Sequence, residues 1–288
     1  MLDIIINVLI FGVIFGSVNA LLAMGFTLVY GVGKILNLAH GGFYLITGYL
    51  LYILIRELGL SLPIAMIISL ILISIIGGVS YILLIKPLQE RETTILIVTF
   101  ALAFFFEQII TLYYGGKGKF LEPLIPGTIY IFEVGFSAQS AFMIISTLII
   151  VSVLGLFILK SKLGKSIRAV SQDREAAMLS GINADRILLY TVIISAFLVG
   201  LAAILRVPGG SIAPFMAWTV LTNAFSVVIL GGLGSIKGSF LAAYIIGISQ
   251  SFVSVVWGSD YSNLIPIIII LIVLLIRPRG LFGKKEVK

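Results

Sequence analysis

The sequence predicts an all-α, polytopic helical membrane protein of about eight to ten transmembrane helices, some of them broken, with one short helix outside the bilayer. Three observations carry that prediction. The 288-residue chain is 60% hydrophobic and only 11% charged, where a soluble domain averages about 25% charged residues; its mean hydropathy is +1.22. Several uncharged runs reach roughly 20 residues, the length a helix needs to cross a ~30 Å hydrocarbon core. These runs, such as Leu62 to Ile85, do not alternate apolar and polar residues as barrel strands do.

Charged residues punctuate the runs and leave nine candidate spans, near 4–33, 40–55, 62–85, 93–114, 137–159, 187–205, 218–235, 238–257 and 262–276. Together they form a single transmembrane domain, 1–288, with one long polar loop at about 160–186. The first span, Ile4 to Gly33, has no basic leader and exceeds the apolar region of a signal peptide, so it is expected to stay in the membrane.

The net charge of +7 invites a nucleic-acid reading, but in a membrane chain such an excess normally marks cytoplasmic loops. Lys160, Lys162, Lys165, Arg168, Arg174 and Arg186 crowd the polar loop, and Arg277, Arg279, Lys284, Lys285 and Lys288 crowd the tail. Both are predicted to be cytoplasmic, in a multi-pass protein of the cytoplasmic (inner) membrane. The loop 115–136, with Lys117, Lys119, Glu122 and Glu133, then falls outside along with the amino terminus. There is no cysteine, which excludes disulfides, thiolate metal sites and cysteine nucleophiles. A single histidine, His40, excludes a multi-histidine metal site, so no metal or cofactor is expected.

Two spans are interrupted by polar and glycine residues, at "GKILNLAHG" (33–41) and "LGGLGSIKGS" (230–239). Irregular backbone at membrane depth survives only where protein buries it or a wet cavity receives it. Asn37, His40 and Gly41 in the first break, and Gly231, Gly232 and Gly234 in the second, are therefore candidates for the substrate pathway; tight turns between helices are the alternative. "HGGFYLITGY" (40–49) and "KGSFLAAY" (237–244) echo each other weakly, as a parallel internal repeat would. A lone histidine at such a break is more often a hydrogen-bonded helix-end residue than a proton relay.

The stretch "SQDREAAMLSGINADR" (171–186) is a charged island in this apolar chain. Asp173 suits an N-cap, and Glu175 lies in the first turn, where the helix dipole favours a carboxylate. Gly181 is placed for the left-handed residue that ends a helix. Ala176 and Ala177 would let another surface approach the backbone. Helices this short are marginal alone, so this one must pack on its own protein or on a partner.

Glu175-Ala176-Ala177, three residues, then Gly181 resembles the EAA-x-x-x-G coupling motif of ABC importer permeases. "LGKSIRAVSQDREAAMLSGINADR" (163–186), "ILNLAHGGFYLITGY" (35–49), "VILGGLGSIKGSFLAA" (228–243) and "LLIRPRGLFG" (274–283) are similar to the branched-chain amino acid permeases, the LivH type above all. The resemblance implies a permease subunit that translocates branched-chain or similar amino acids by alternating access. It implies that Asp173, Glu175, Ala176, Ala177 and Gly181 form the coupling helix. The implied partners are cytoplasmic ABC ATPase subunits, which would use the ATP, a second permease subunit (a paralogue or a second copy) and an extracytoplasmic substrate-binding protein. The fourth span departs from the family pattern, which has an uncharged polar pair where this chain has Glu107-Gln108.

Gly164-Lys165-Ser166 looks like the end of a P-loop, but the motif needs glycine where Leu159 stands. The chain is accordingly expected to bind no ATP and to catalyse no covalent chemistry. Glu107 is the one carboxylate well inside a predicted span; such residues usually face a bundle interior. It is expected to pair with Arg206 or to meet a zwitterionic substrate, unless it snorkels to the interface. Asn223 and Ser226, with Thr219 and Thr222, line one side of the seventh span as a path or as interhelical hydrogen bonds. An ion-coupled secondary transporter or channel for small polar solutes is the competing function; it would leave the coupling motif without a purpose. A membrane scaffold would leave the glycine-broken spans unexplained.

Overall fold

A computed structural model describes residues 2–283; Lys284, Lys285 and Lys288 of the predicted cytoplasmic tail lie outside the described residues. The nine candidate spans all fall on helices: α1 (Leu2–Gly33), α2 (His40–Tyr52, extended by a π turn, Ile53–Glu57), α3 (Leu62–Ser80), α4 (Glu92–Tyr114), α5 (Ala138–Lys160), α8 (Ala184–Arg206), α9 (Met216–Gly231), α10 (Ile236–Trp257) and α12 (Ile265–Ile276), preceded by a single turn, α11 (Ser259–Ser262). Seven of the helical stretches are long and apolar enough to cross a membrane. The exceptions are α2 and α9, each of which borders one of the predicted breaks.

The polar loop holds two helices, α6 (Lys162–Gln172) and α7 (Arg174–Leu179). The sequence reading anticipated only α7. Ser161 starts α6 by accepting from the Gly164 backbone N–H at 2.8 Å, and Ile167 and Val170 turn its apolar stripe inward. Gly164, the residue of the false P-loop, lies in the first turn, where a side chain would collide with the Phe157 and Ile158 carbonyls. Four short strands, also unforeseen, gather at the opposite face of the bundle: β1 (Lys119–Phe120) pairs antiparallel with β4 (Ser211–Ile212), and β2 (Thr128–Ile131) forms a hairpin with β3 (Val134–Ser137).

Helices α1 and α10 form the central antiparallel pair. Gly12 and Gly16 of α1 meet Ile248 and Tyr244 of α10, and Gly247 comes back against the α1 backbone between them. Small residues at this spacing let two helices approach closely in lipid, where packing rather than apolar burial drives association. Buried polar pairs add to that seam. Thr27 and Ser239 share a hydrogen bond of 2.6 Å, and Asn19 donates to Gln250 at 3.1 Å. On the other side of α1, α8 packs antiparallel to α3: Gly77 sits on Ala196, and Gly200 sits on Ile73.

Candidate functional site

The first break is built at depth. His40, the first residue of α2, presents its Nε2 to the Leu22 carbonyl at 2.8 Å. Leu22 lies eleven residues before the end of α1, about 16 Å at 1.5 Å per residue. The chain therefore leaves α1, folds back beside it through residues 34–39, and starts α2 near the middle of the bundle. The backbone of this return is satisfied locally. Leu38 N–H donates to Thr99 of α4 at 3.1 Å, and Ala39 N–H donates to the Asn37 side chain at 3.1 Å. Asn37 and His40 are buried, at 3% and 1% exposure, and the His40 ring stands edge-on to Phe26. His40 is thus a hydrogen-bonded helix-end residue, the more frequent role for a lone histidine at such a break.

Gly41 and Gly42 then make α2 fit between its neighbours. A side chain at Gly41 would overlap the Ala217 carbonyl at the start of α9, and one at Gly42 would press on Ala103 of α4. Two short helices thus begin side by side at mid-bundle and run to opposite faces, α2 toward the strands and α9 toward α6 and α7. Glu107 lies on the same buried stripe of α4 as Thr99 and Ala103, one turn beyond the Gly42 contact. It is 2% exposed, which rules out the snorkelling alternative. Its partner is not Arg206: the salt bridges among the described residues are Arg56–Glu122 and Arg174–Asp185, and Arg206 is exposed at the strand face. One carboxyl oxygen, Oε2, is buried with no hydrogen-bond partner among the described residues.

Asn223 is joined to the interhelical seam. It accepts from Gln250 at 3.4 Å, continuing the Asn19–Gln250 contact across α1, α10 and α9. Thr222 and Ser226 turn their hydroxyls back to their own helix. The second break is a separate place. Gly234 touches Gly31, nine residues from Leu22 along α1, roughly 13 Å at the helical rise. Gly231 and Gly232 serve close packing there: Gly231 lies on Gly238, and Gly232, with φ +97°, lies on Gly283. The returning tail caps α9, with Leu281 N–H donating to Leu230 at 2.8 Å and Phe282 N–H to Gly231 at 3.1 Å. These satisfy carbonyls that a helix end otherwise leaves orphaned.

The island folds as its sequence asks. Asp173 caps α7 by accepting from Ala176 N–H at 3.0 Å, and Glu175 lies in the first turn. At the other end Ile182 N–H reaches the Ala177 carbonyl at 3.0 Å and Gly181 N–H reaches Met178 at 2.9 Å, with Gly181 at φ +82°. That pair of bonds is the Schellman termination, which glycine accommodates without Cβ strain. The two alanines separate. Ala177 points inward at 5% exposure, among Ile167, Val170 and Ile187, so it anchors the helix instead of widening its open face as the sequence suggested. Ala176 stays outside with Glu175, Met178 and Leu179, the last 92% exposed.

Sequence reasoning missed what holds α7 in place. Arg174 donates to Gln89 at 2.8 Å and to Asp185 at 2.9 Å. Gln89 donates to the Tyr81 hydroxyl at 2.7 Å, and Tyr81 donates to the Asp185 carbonyl at 3.1 Å. The network ties α7 to the ends of α3 and α8. These four residues are ordinary polar side chains near span ends, and nothing in their spacing links them.

A sequence model of the family described as "Branched-chain amino acid transport system / permease component" matches residues 8–274. The chain belongs to that family. It is 32% identical to the high-affinity branched-chain amino acid transport system permease protein BraD of Pseudomonas aeruginosa, over 97% of this chain and 96% of that protein. It is 30% identical to the corresponding LivH protein of Escherichia coli, over 96% of this chain and 95% of the relative. A more distant relative is the ribose import permease protein RbsC of Haemophilus influenzae, 26% identical over 93% of this chain and 84% of that protein. This permease therefore shares most of its length with proteins named for chemically different solutes.

Proposed function

We propose that this permease is the membrane subunit of an ABC importer for branched-chain or similar amino acids, and that α7 is its coupling helix. The observation that carries the reading is α7 itself: capped at both ends, anchored through Ala177, and presenting Glu175, Ala176, Met178 and Leu179 outward. A short helix held this firmly with a partly apolar open face suits docking into a cleft of a cytoplasmic ATPase. The α6–α7 face is then cytoplasmic, ATP is used by the partner, and a second permease subunit and an outside binding protein complete the transporter. Transport needs two states with different contacts to the driver. The Arg174 network gives α7 a direct grip on α3 and α8, through which ATPase closure would tilt the bundle. The ribose relative leaves amino-acid specificity to the translocation path and the binding protein.

The test uses the naturally cysteine-free chain in native membranes. Cysteine goes at Leu179, and at Met178 as a second site; Ala177 is buried and unsuited. Capture of an ATPase subunit at both positions, lost on joint substitution of Glu175 and Gly181, supports the reading. Efficient cross-linking at control positions with no ATPase at α7 overturns it. One observation favours a second reading, an ion-coupled transporter: the buried Glu107 carboxyl, whose Oε2 has no hydrogen-bond partner among the described residues, is the kind of group that binds a proton or cation. Uptake that collapses with the proton gradient while ATP is held constant would select that alternative.

A further inference from the structure

A cavity of about 370 Å³ opens at the α6–α7 face, between the end of α1, the α9–α10 turn and the returning tail. Its lining includes Lys34, Arg279, Ser171, Ser235 and Tyr30, with no carboxylate among the described residues. Lys34 directly follows the last residue of α1, and Arg279 lies three residues past the end of α12. Both cations therefore stand at the level where spanning helices leave the hydrocarbon. Lys34 is held over the Tyr30 ring, 5.7 Å from its centroid. It adopts φ +54°, a left-handed conformation that costs free energy for any residue with a Cβ. Backbone held in that region is often part of a built site. Neither Lys34 nor Arg279 forms an ion pair among the described residues.

We infer that this cavity binds the phosphate of an anionic phospholipid headgroup. Basic pockets between membrane helices at the headgroup level have the charge and depth for such lipids. The Lys34 ammonium and Arg279 guanidinium would supply charge-assisted hydrogen bonds to the phosphate oxygens, with the acyl chains running along the end of α12, where Leu275 and Ile276 are exposed. Because the tail that frames the cavity also caps α9, a bound headgroup would brace the inner turn of the second break. The inference is independent of which solute is carried and of what docks on α7.

Native mass spectrometry of the full chain in detergent tests it, with phosphatidylglycerol and phosphatidylcholine added in turn and inorganic phosphate as a third probe. Phosphatidylglycerol should be retained under activation that strips phosphatidylcholine. K34Q/R279Q should lower its occupancy roughly thirtyfold, from two surface-level cations, while K160Q/K162Q, which removes two cations from the same face, should leave it within about twofold. The charge-preserving pair K34R/R279K should retain binding; loss in that variant equal to K34Q/R279Q would mean the fold had changed, and would overturn the assignment. Equal retention of the two lipids, or an equal loss in K160Q/K162Q, would reduce the effect to general surface charge and overturn it. Tight binding of inorganic phosphate that displaces phosphatidylglycerol would assign the site to the free ion. Lipid displaced when an ATPase partner binds would assign the cations to that protein instead.

Discussion

Arg174 and Asp185 stand 2.9 Å apart, one at the first residue of α7 and the other in the first turn of α8. The pair is part of the network that joins α7 to two membrane helices. Its side chains are 40% and 45% exposed, so its worth to stability is small, under about 1 kcal/mol. Its expected importance lies in transmission. R174A and D185N should each cut ATP-driven uptake several-fold while moving the unfolding midpoint little, and the double substitution should be no worse than either one. Parallel measurement of uptake and ATPase activity checks this; additive losses would mean that the two residues act separately.

Gly181 occupies a left-handed position with open space where a side chain would go. Gly181→Ala should therefore cost only the backbone term, about 1–2 kcal/mol, and should fray α7 without disturbing the bundle. Gly181→Asn should recover part of that loss, since asparagine tolerates this conformation. Proteolysis within residues 172–184, followed over time, reports the fraying.

Gly41 presents the opposite case, a helical glycine with no space. Gly41→Ala must push α2 away from the Ala217 carbonyl, at a cost on the order of 1–3 kcal/mol. Gly155 of α5 has nothing within 4 Å of its missing Cβ, and Gly155→Ala should be neutral or stabilising by up to about 1 kcal/mol. Thermal unfolding in detergent should rank Gly41→Ala well below wild type and Gly155→Ala at or above it.

The Thr27–Ser239 hydroxyl pair tests how much the α1–α10 seam depends on polar contacts. Thr27→Val alone leaves Ser239 buried and unpaired. The double substitution T27V/S239A removes both hydroxyls and should be less costly than the sum of the two singles. The interaction energy from the double-mutant cycle should be near 0.6 kcal/mol and no more than about 1.7 kcal/mol. A value near zero would leave glycine packing as the main cause of the seam.

Glu107 has an unsatisfied buried oxygen, and such a group needs an explanation in function or in bound solvent. If it meets the ammonium of a zwitterionic substrate, Glu107→Gln should weaken uptake by roughly tenfold to a hundredfold, the range for hydrogen bonds to charged groups. Stability should stay level or rise, because an uncompensated carboxyl is removed from the bundle. Unchanged half-saturation for uptake would remove Glu107 from the substrate path.

Local features of the sequence were enough to place the spans, the two breaks and the caps of α7. Hydropathy over twenty residues, an aspartate before a helical run and a glycine after it act within a few turns of themselves, so their consequences can be read along the chain. The tertiary structure decided how deep each break sits, and that depends on contacts between distant residues. His40 finds Leu22, and Gly41 finds Ala217, only when α1, α4 and α9 have packed. The same holds for Ala177 turning inward, for the seam from Asn19 through Gln250 to Asn223, and for the grip of Arg174 on Gln89 and Asp185. The sequence reading passed over Asn19 and Gln250 altogether, because which helix supplies each partner is fixed by packing: a buried polar group takes whichever donor or acceptor the closed bundle brings within reach.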